Sequence, residues 1–159
     1  VVNHKTYETA QASAFVSLAE SIFAAQRSGV QMVSVVSAFD LNSVSRRVPG
    51  LSVWTQHLDP VGFGSNTGHL SPSTAISNGA TGTILNHSER RVSFDHVESV
   101  LAMLPDDFST CICAASGFTI RGILATISQN TFFLYLCKVD RAGIIVYNIF
   151  VEATVLTRK

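Results

Sequence analysis

Six residues near the middle of the chain, Asn-His-Ser-Glu-Arg-Arg at 86–91, combine side chains that acid–base chemistry uses. They follow an apolar run that ends at Leu85 and predicts a buried strand, and their charges predict the start of a helix. A helix N-terminus carries partial positive charge, which disfavours an imidazolium and leaves a neutral imidazole able to donate a hydrogen bond. His87 is therefore a candidate electrophile. The alternative is a histidine that is hydrogen-bonded in a strand-to-helix turn.

A second pair of polar residues stands in the first predicted strand. Asn3 and Lys5 are two residues apart, and successive strand side chains point to opposite faces, so both are expected on the same side. Lys5 would supply positive charge to an anionic ligand.

Length and composition predict one domain over residues 1–159. The chain is 47% hydrophobic and 14% charged, and its 11 basic and 11 acidic residues balance. Neither a nucleic acid nor an anionic membrane is favoured as a partner by this charge. Three cysteines without a metal-ligand spacing, and no signal peptide, predict a cytoplasmic protein. The longest apolar tract, at 131–151, is interrupted by charges and is too polar to span a bilayer.

Short apolar runs alternate with helix-period segments, which is the pattern of an α/β fold with a parallel sheet. Apolar stripes at helical spacing predict helices around residues 15–22, 97–104 and 120–127. Strands are predicted at residues 1–5, 30–36, 51–57, 80–86, 110–114 and 131–137, with a seventh at 144–151 if that run is one.

Three motifs in order resemble the triosephosphate isomerase family, in the version typical of its archaeal members. Residues 86–91 resemble its catalytic histidine loop, residues 2–7 its first strand, and residues 55–59 with 64–70 its third-strand loop. The resemblance covers residues 1 to about 128 and implies a TIM-barrel-type (β/α) parallel sheet. A complete barrel needs roughly 200 to 250 residues, so we expect an incomplete barrel of about six or seven strands with a divergent tail from about 129.

The resemblance implies interconversion of dihydroxyacetone phosphate and glyceraldehyde 3-phosphate, in glycolysis and gluconeogenesis, without a cofactor. His87 would polarise the substrate carbonyl, an arrangement carried over from the family mechanism. Asn3 and Lys5 would hold the phosphorylated triose, and Glu89 would have a supporting role. A simple charge at a helix N-terminus explains Glu89 equally well. His57, Asp59 and His69 match the family's third-strand loop, so no metal is expected there.

The catalytic base is the departure from the family pattern. A glutamate and prolines follow the sixth strand in the family, whereas residues 133–143 contain neither. After Asp107 the only acidic residues are Asp140 and Glu152. Asp140 is a candidate substitute base, and the interpretation we favour is that the base is missing and activity is low. The alternative function is therefore a catalytically impaired homologue that acts as a scaffold or assembly element.

Self-association is expected for two reasons. In the family the third-strand loop inserts into a partner subunit, and an incomplete barrel leaves a sheet edge or an apolar tail to be covered. The residues that would reach a neighbour in a homo-oligomer are Gly64, Ser65, Asn66, Thr67 and Gly68.

Overall fold

The computed structural model describes residues 1–8, 12–114, 132–136, 138–140 and 143–145. These residues belong to two compact units, Val1–Thr83 and Ile84–Lys159. No helix within the described ranges is long and apolar enough to cross a membrane.

The first unit alternates strands with helices. Its elements are β1 Val2–Asn3, α1 Ala12–Ala24, β2 Val33–Val36, α2 Leu41–Arg47, β3 Ser52–Thr55 and α3 Pro72–Ser77, and β4 Gly82–Leu85 begins at its end. Strand β1 pairs parallel with β2, β2 with β3, and β3 with the first two residues of β4. The parallel α/β fold expected from the alternating pattern is therefore confirmed.

The core of the first unit lies between the sheet and its helices. All four residues of β2 are buried, as expected of a parallel strand covered on both faces. Phe15 and Ala19 of α1 and Val44 of α2 are almost fully buried as well. Close packing also explains why position 79 is a glycine. Its φ is +94°, and an added Cβ would lie 2.6 Å from Ser45 Oγ.

The second unit contains α4 Phe94–Leu101, β5 Ser109–Ala114, β6 Phe132–Leu136, β7 Lys138–Asp140 and β8 Gly143–Ile145. Strands β5 and β6 pair parallel over five residues, from Thr110 with Phe132 to Ala114 with Leu136. Strands β7 and β8 form an antiparallel pair. Val97 and Val100 of α4 and Ile112 of β5 are at most 1% exposed and belong to the core of this unit.

Each of the six predicted strands is present. Five are shorter than predicted, most of all β1 with two residues instead of five, and β5 begins one residue earlier, at Ser109. Strand β8 overlaps the first residues of the run at 144–151, and it pairs antiparallel rather than as a further parallel strand. The helix predicted around 120–127 lies outside the described residues. Periodicity does not predict helices α2 and α3, because they have only seven and six residues and so show too few repeats of an apolar stripe. Ser71 followed by Pro72 was a usable signal for α3, because Ser caps a helix and Pro favours its first turn.

Candidate active site

The first group of candidate residues lies at the end of β1. Asn3 and Lys5 are half-buried, and His4 between them is only 4% exposed. His4 contacts Ser34 through Nε2 at 2.7 Å and packs against Phe15 of α1, with the two rings tilted by 43°. Because His4 points toward α1, the alternation along the strand places Asn3 and Lys5 on the other side. The alternation of side chains continues past the end of β1, because the His4 N–H still donates to the Val35 carbonyl of β2 at 2.9 Å.

Gln56 positions Asn3, a contact that the sequence interpretation missed. Its Nε2 donates to Asn3 Oδ1 at 3.1 Å and also to the His4 carbonyl. Strand β2 lies between β1 and β3 in the sheet, so this side chain joins the ends of two strands that are not neighbours. Its place directly after β3 was the available signal, since strand ends are where barrel enzymes position their side chains.

The histidine and aspartate that follow β3 close a loop. His57 Nε2 lies 3.0 Å from Asp59 Oδ1, and the Leu70 N–H donates to Asp59 Oδ2 at 2.8 Å. A backbone bond from the Asp59 N–H to the Leu70 carbonyl, also 2.8 Å, completes the closure. Asp59 Oδ2 and the Asp59 N–H therefore hold together the two ends of the segment at residues 60–69, which we call the 60–69 loop, and Oδ1 contacts His57 before the loop.

The second group of candidate residues belongs to the other compact unit and is described by itself. Asn86 follows β4, is 1% exposed and has a positive φ of 58°. Its Nδ2 donates to the Cys113 carbonyl at 2.8 Å, and its Oδ1 accepts from the Val92 N–H at 3.1 Å. The Arg91 guanidinium donates to the carbonyls of Asn86 and Cys113 at 2.7 and 3.2 Å. The segment at residues 86–92, which we call the histidine loop, is therefore closed at its two ends.

His87 is held by the backbone of its own loop. The Glu89 N–H donates to His87 Nδ1 at 3.2 Å, and the Arg90 N–H donates to the His87 carbonyl at 2.9 Å. The Glu89 carboxylate lies farther from Nδ1, at 3.5 Å, and its side chain is 62% exposed. Because Nδ1 accepts the backbone N–H, a neutral ring carries its proton on Nε2.

The helix expected directly after His87 begins later than predicted. Glu89 lies in a turn, and α4 starts at Phe94 with the Ser93 side chain accepting from the His96 N–H. The prediction that Glu89 stands in the first helical turn is therefore wrong, and so is the reason given for a neutral His87. Helix formation is delayed because the loop backbone already bonds to His87 and to the Asn86 side chain.

The structure brings some of the predicted site residues into contact with a neighbour. Asn3 is joined to Gln56, and His87 to Glu89, each pair within one compact unit. Asp140 ends β7, and its side chain lies outside the described part of the structure. The predicted oligomer residues belong to the 60–69 loop, where the Asn66 side chain donates to the Gly62 carbonyl at 2.7 Å and Phe63 is 96% exposed.

The chain matches the triosephosphate isomerase family model over residues 1–119. It is 30% identical over 132 residues to the triosephosphate isomerase of Methanobrevibacter smithii, an alignment that covers 82% of this chain and 59% of that protein. Identity to the Archaeoglobus fulgidus protein of the same name is 35% over 133 residues, or 82% of this chain and 58% of that one.

The Methanosarcina barkeri triosephosphate isomerase is 33% identical over 127 residues, which are 79% of this chain and 52% of that protein. The chain therefore spans between half and three fifths of the length of these curated relatives. The family match covers the strand end that carries Asn3 and Lys5 as well as the histidine loop. The chain belongs to the triosephosphate isomerase family.

Proposed function

We propose that this protein interconverts dihydroxyacetone phosphate and glyceraldehyde 3-phosphate, as in glycolysis and gluconeogenesis. The activity is the one stated in the names of its relatives. The observation that carries the proposal is the hydrogen bond from the Glu89 N–H to His87 Nδ1. It directs the proton of a neutral imidazole to Nε2, the nitrogen that donates to the substrate in this proposal.

The reaction needs a proton donor at the carbonyl of the substrate. A base, either the Asp140 carboxylate or a base from the buffer, takes a proton from the carbon beside the carbonyl and leaves an enediolate, whose negative charge builds up on oxygen. A preorganised hydrogen-bond donor at that oxygen stabilises the transition state, and loss of one such donor costs about a hundredfold or more in rate. His87 Nε2–H is the donor in this proposal.

Asn3 and Lys5 are proposed to bind the substrate from the end of β1. A triose phosphate is anionic, so the Lys5 ammonium favours its binding by charge. Asn3 contributes its amide, whose orientation is set by the bond from Gln56. No metal or organic cofactor takes part in the proposed reaction.

Hydrogen exchange in deuterated water is the most sensitive test of this function. Each return of an enediolate to dihydroxyacetone phosphate places a solvent deuteron on C1, so proton NMR detects the first step even where net turnover is slow. We expect the chain to accelerate deuterium incorporation above the buffer rate. His87→Gln should reduce the protein-dependent rate at least about a hundredfold.

His96→Gln is the matched control for this substitution, since it makes the same change in a histidine of α4. We expect it to leave the exchange rate unchanged. A protein-dependent rate that is equal in the parent chain and in folded His87→Gln would contradict the assignment of His87 as electrophile.

We also propose that the active form is a cytoplasmic homo-oligomer assembled through the 60–69 loop. Its two ends are closed by the Asp59 and Leu70 bonds, and it presents Phe63 almost fully to solvent. A large exposed aromatic side chain on a braced loop is typical of a protein interface, because aromatic residues dominate interface energetics. The second copy is the partner that the family membership favours.

A further inference from the structure

We propose that Asn86 is a positioning residue that closes the histidine loop onto Val92 and thereby holds His87 in the tautomer with its proton on Nε2. The inference rests on the proposed function, because only there does the tautomer matter for catalysis. It extends that function to a side chain that touches no substrate.

The backbone at Asn86 is the first observation. Its φ of 58° lies in the left-handed region, and no other described residue except glycine has a positive φ. Such a conformation costs an ordinary L-residue about 1 kcal/mol or more, and asparagine is among the few side chains that adopt it readily. The four residues of β4 and Asn86 itself are buried, whereas His87, directly after this conformation, is partly exposed.

The hydrogen bonds of the side chain are the second observation. Asn86 uses its donor on the Cys113 carbonyl and its acceptor on the Val92 N–H, six residues ahead. The second bond joins the two ends of the histidine loop. With the loop closed, the Glu89 N–H is held 3.2 Å from His87 Nδ1.

The tautomer of His87 depends on the hydrogen bond that its Nδ1 accepts from the Glu89 N–H. A neutral imidazole can carry its proton on either nitrogen, and the tautomer is decided by what the other nitrogen accepts. If the loop opens at Val92, the Glu89 N–H leaves Nδ1 and the two tautomers become closer in free energy. Asn86 therefore acts on the reaction only through His87.

The test is nitrogen-15 NMR of the whole chain without substrate, which reads the tautomer directly from the two ring nitrogen shifts. In the parent chain we expect one neutral tautomer, protonated on Nε2. Asn86→Gly keeps the positive φ and removes both side-chain bonds, so the ring shifts should converge toward a mixture. Amide hydrogen exchange at Glu89 should become about fivefold faster or more.

Two further variants separate positioning from general stability. Asn86→Asp keeps an acceptor for the Val92 N–H and loses the donor to Cys113, so we expect it to retain the single tautomer. Ser93→Ala removes the cap of α4 and leaves the Asn86 contacts in place, so it should lower stability without changing the tautomer. A mixed tautomer in Asn86→Asp or Ser93→Ala would overturn the proposal, as would an unchanged tautomer in folded Asn86→Gly.

Native-state hydrogen exchange of the parent chain gives a test that needs no variant. If the Asn86 bond closes the loop, the Val92 and Glu89 amides open in one event and show the same opening free energy. Different opening free energies would overturn the proposal. Loss of the proposed isomerase function would appear instead in the deuterium assay, which leaves these measurements unaffected.

Discussion

The Glu89 backbone N–H lies 3.2 Å from Nδ1 of His87, closer than the carboxylate of the same residue, at 3.5 Å. Glu89 thus places both a backbone donor and an exposed carboxylate near the imidazole. The two have opposite effects, since the N–H favours a neutral ring and a carboxylate favours an imidazolium. Solvent weakens the effect of the carboxylate, because the Glu89 side chain is 62% exposed.

Glu89→Gln should therefore have a small effect. The substitution keeps the backbone N–H that orients His87 and removes only an exposed charge, which is worth at most about 1 kcal/mol. We expect deuterium incorporation into dihydroxyacetone phosphate to change by less than about fivefold. A loss as large as that expected for His87→Gln would instead give the Glu89 carboxylate a direct part in proton transfer.

Turnover by the 159-residue chain should be low, and Asp140→Asn tests the reason. Proton abstraction requires a carboxylate within hydrogen-bond reach of the carbon acid, and residues 133–143 contain no glutamate. If the base is missing, Asp140→Asn and Glu152→Gln should each leave the coupled-assay rate within about twofold of the parent. A fall of about a hundredfold in Asp140→Asn alone would identify Asp140 as the substitute base.

Phe63→Ser should weaken self-association. Phe63 is 96% exposed on the 60–69 loop, and truncation of an aromatic residue at the centre of an interface costs about 2 kcal/mol, or roughly thirtyfold in the dissociation constant. Sedimentation velocity at micromolar concentrations measures the change. Phe39→Ser is the matched control, because Phe39 is also 96% exposed and lies outside the loop. A parent chain that is a folded monomer would contradict the proposed assembly.

Stability should fall in mildly acidic solution because of His4. Burial lowers the pKa of His4 below its ordinary value of 6.5, and the Asp40 carboxylate opposes this shift with a smaller effect. The unfolded chain then binds the proton more readily than the folded one. The free energy of unfolding should therefore decrease below about pH 6.5, by at most about 1.4 kcal/mol per pH unit, until His4 titrates in the folded state.

Urea unfolding at pH 7.5 and 5.5 measures the contribution of His4. The difference between the urea midpoints at the two pH values should be smaller in His4→Gln than in the parent chain. It should be unchanged in His69→Gln, which removes an exposed histidine. An equal shift in the parent chain and in His4→Gln would assign the pH dependence to other groups.

The sequence by itself determined the class of fold and where its strands lie along the chain. Runs such as residues 33–36 are buried on both faces of a parallel sheet, and that requirement is visible as three valines in four residues, with Ser34 as the one polar member. The same local signals placed Asn3, Lys5 and His87 at strand ends, where the family motifs have them. Helix α1 was equally clear, because Phe15, Ala19 and Ile22 repeat at helical spacing and are buried.

Only the tertiary structure decided how these residues are held. The sequence predicted that a helix start keeps His87 neutral, yet α4 begins at Phe94 and the hydrogen bond at His87 Nδ1 comes from a backbone N–H in a turn. The sequence did not predict the contacts of Gln56 with Asn3 and of Asn86 with Cys113, because these partners are 53 and 27 residues apart in the chain. Periodicity reports which residues are buried, whereas a hydrogen bond between distant strand ends exists only after the sheet has brought them together.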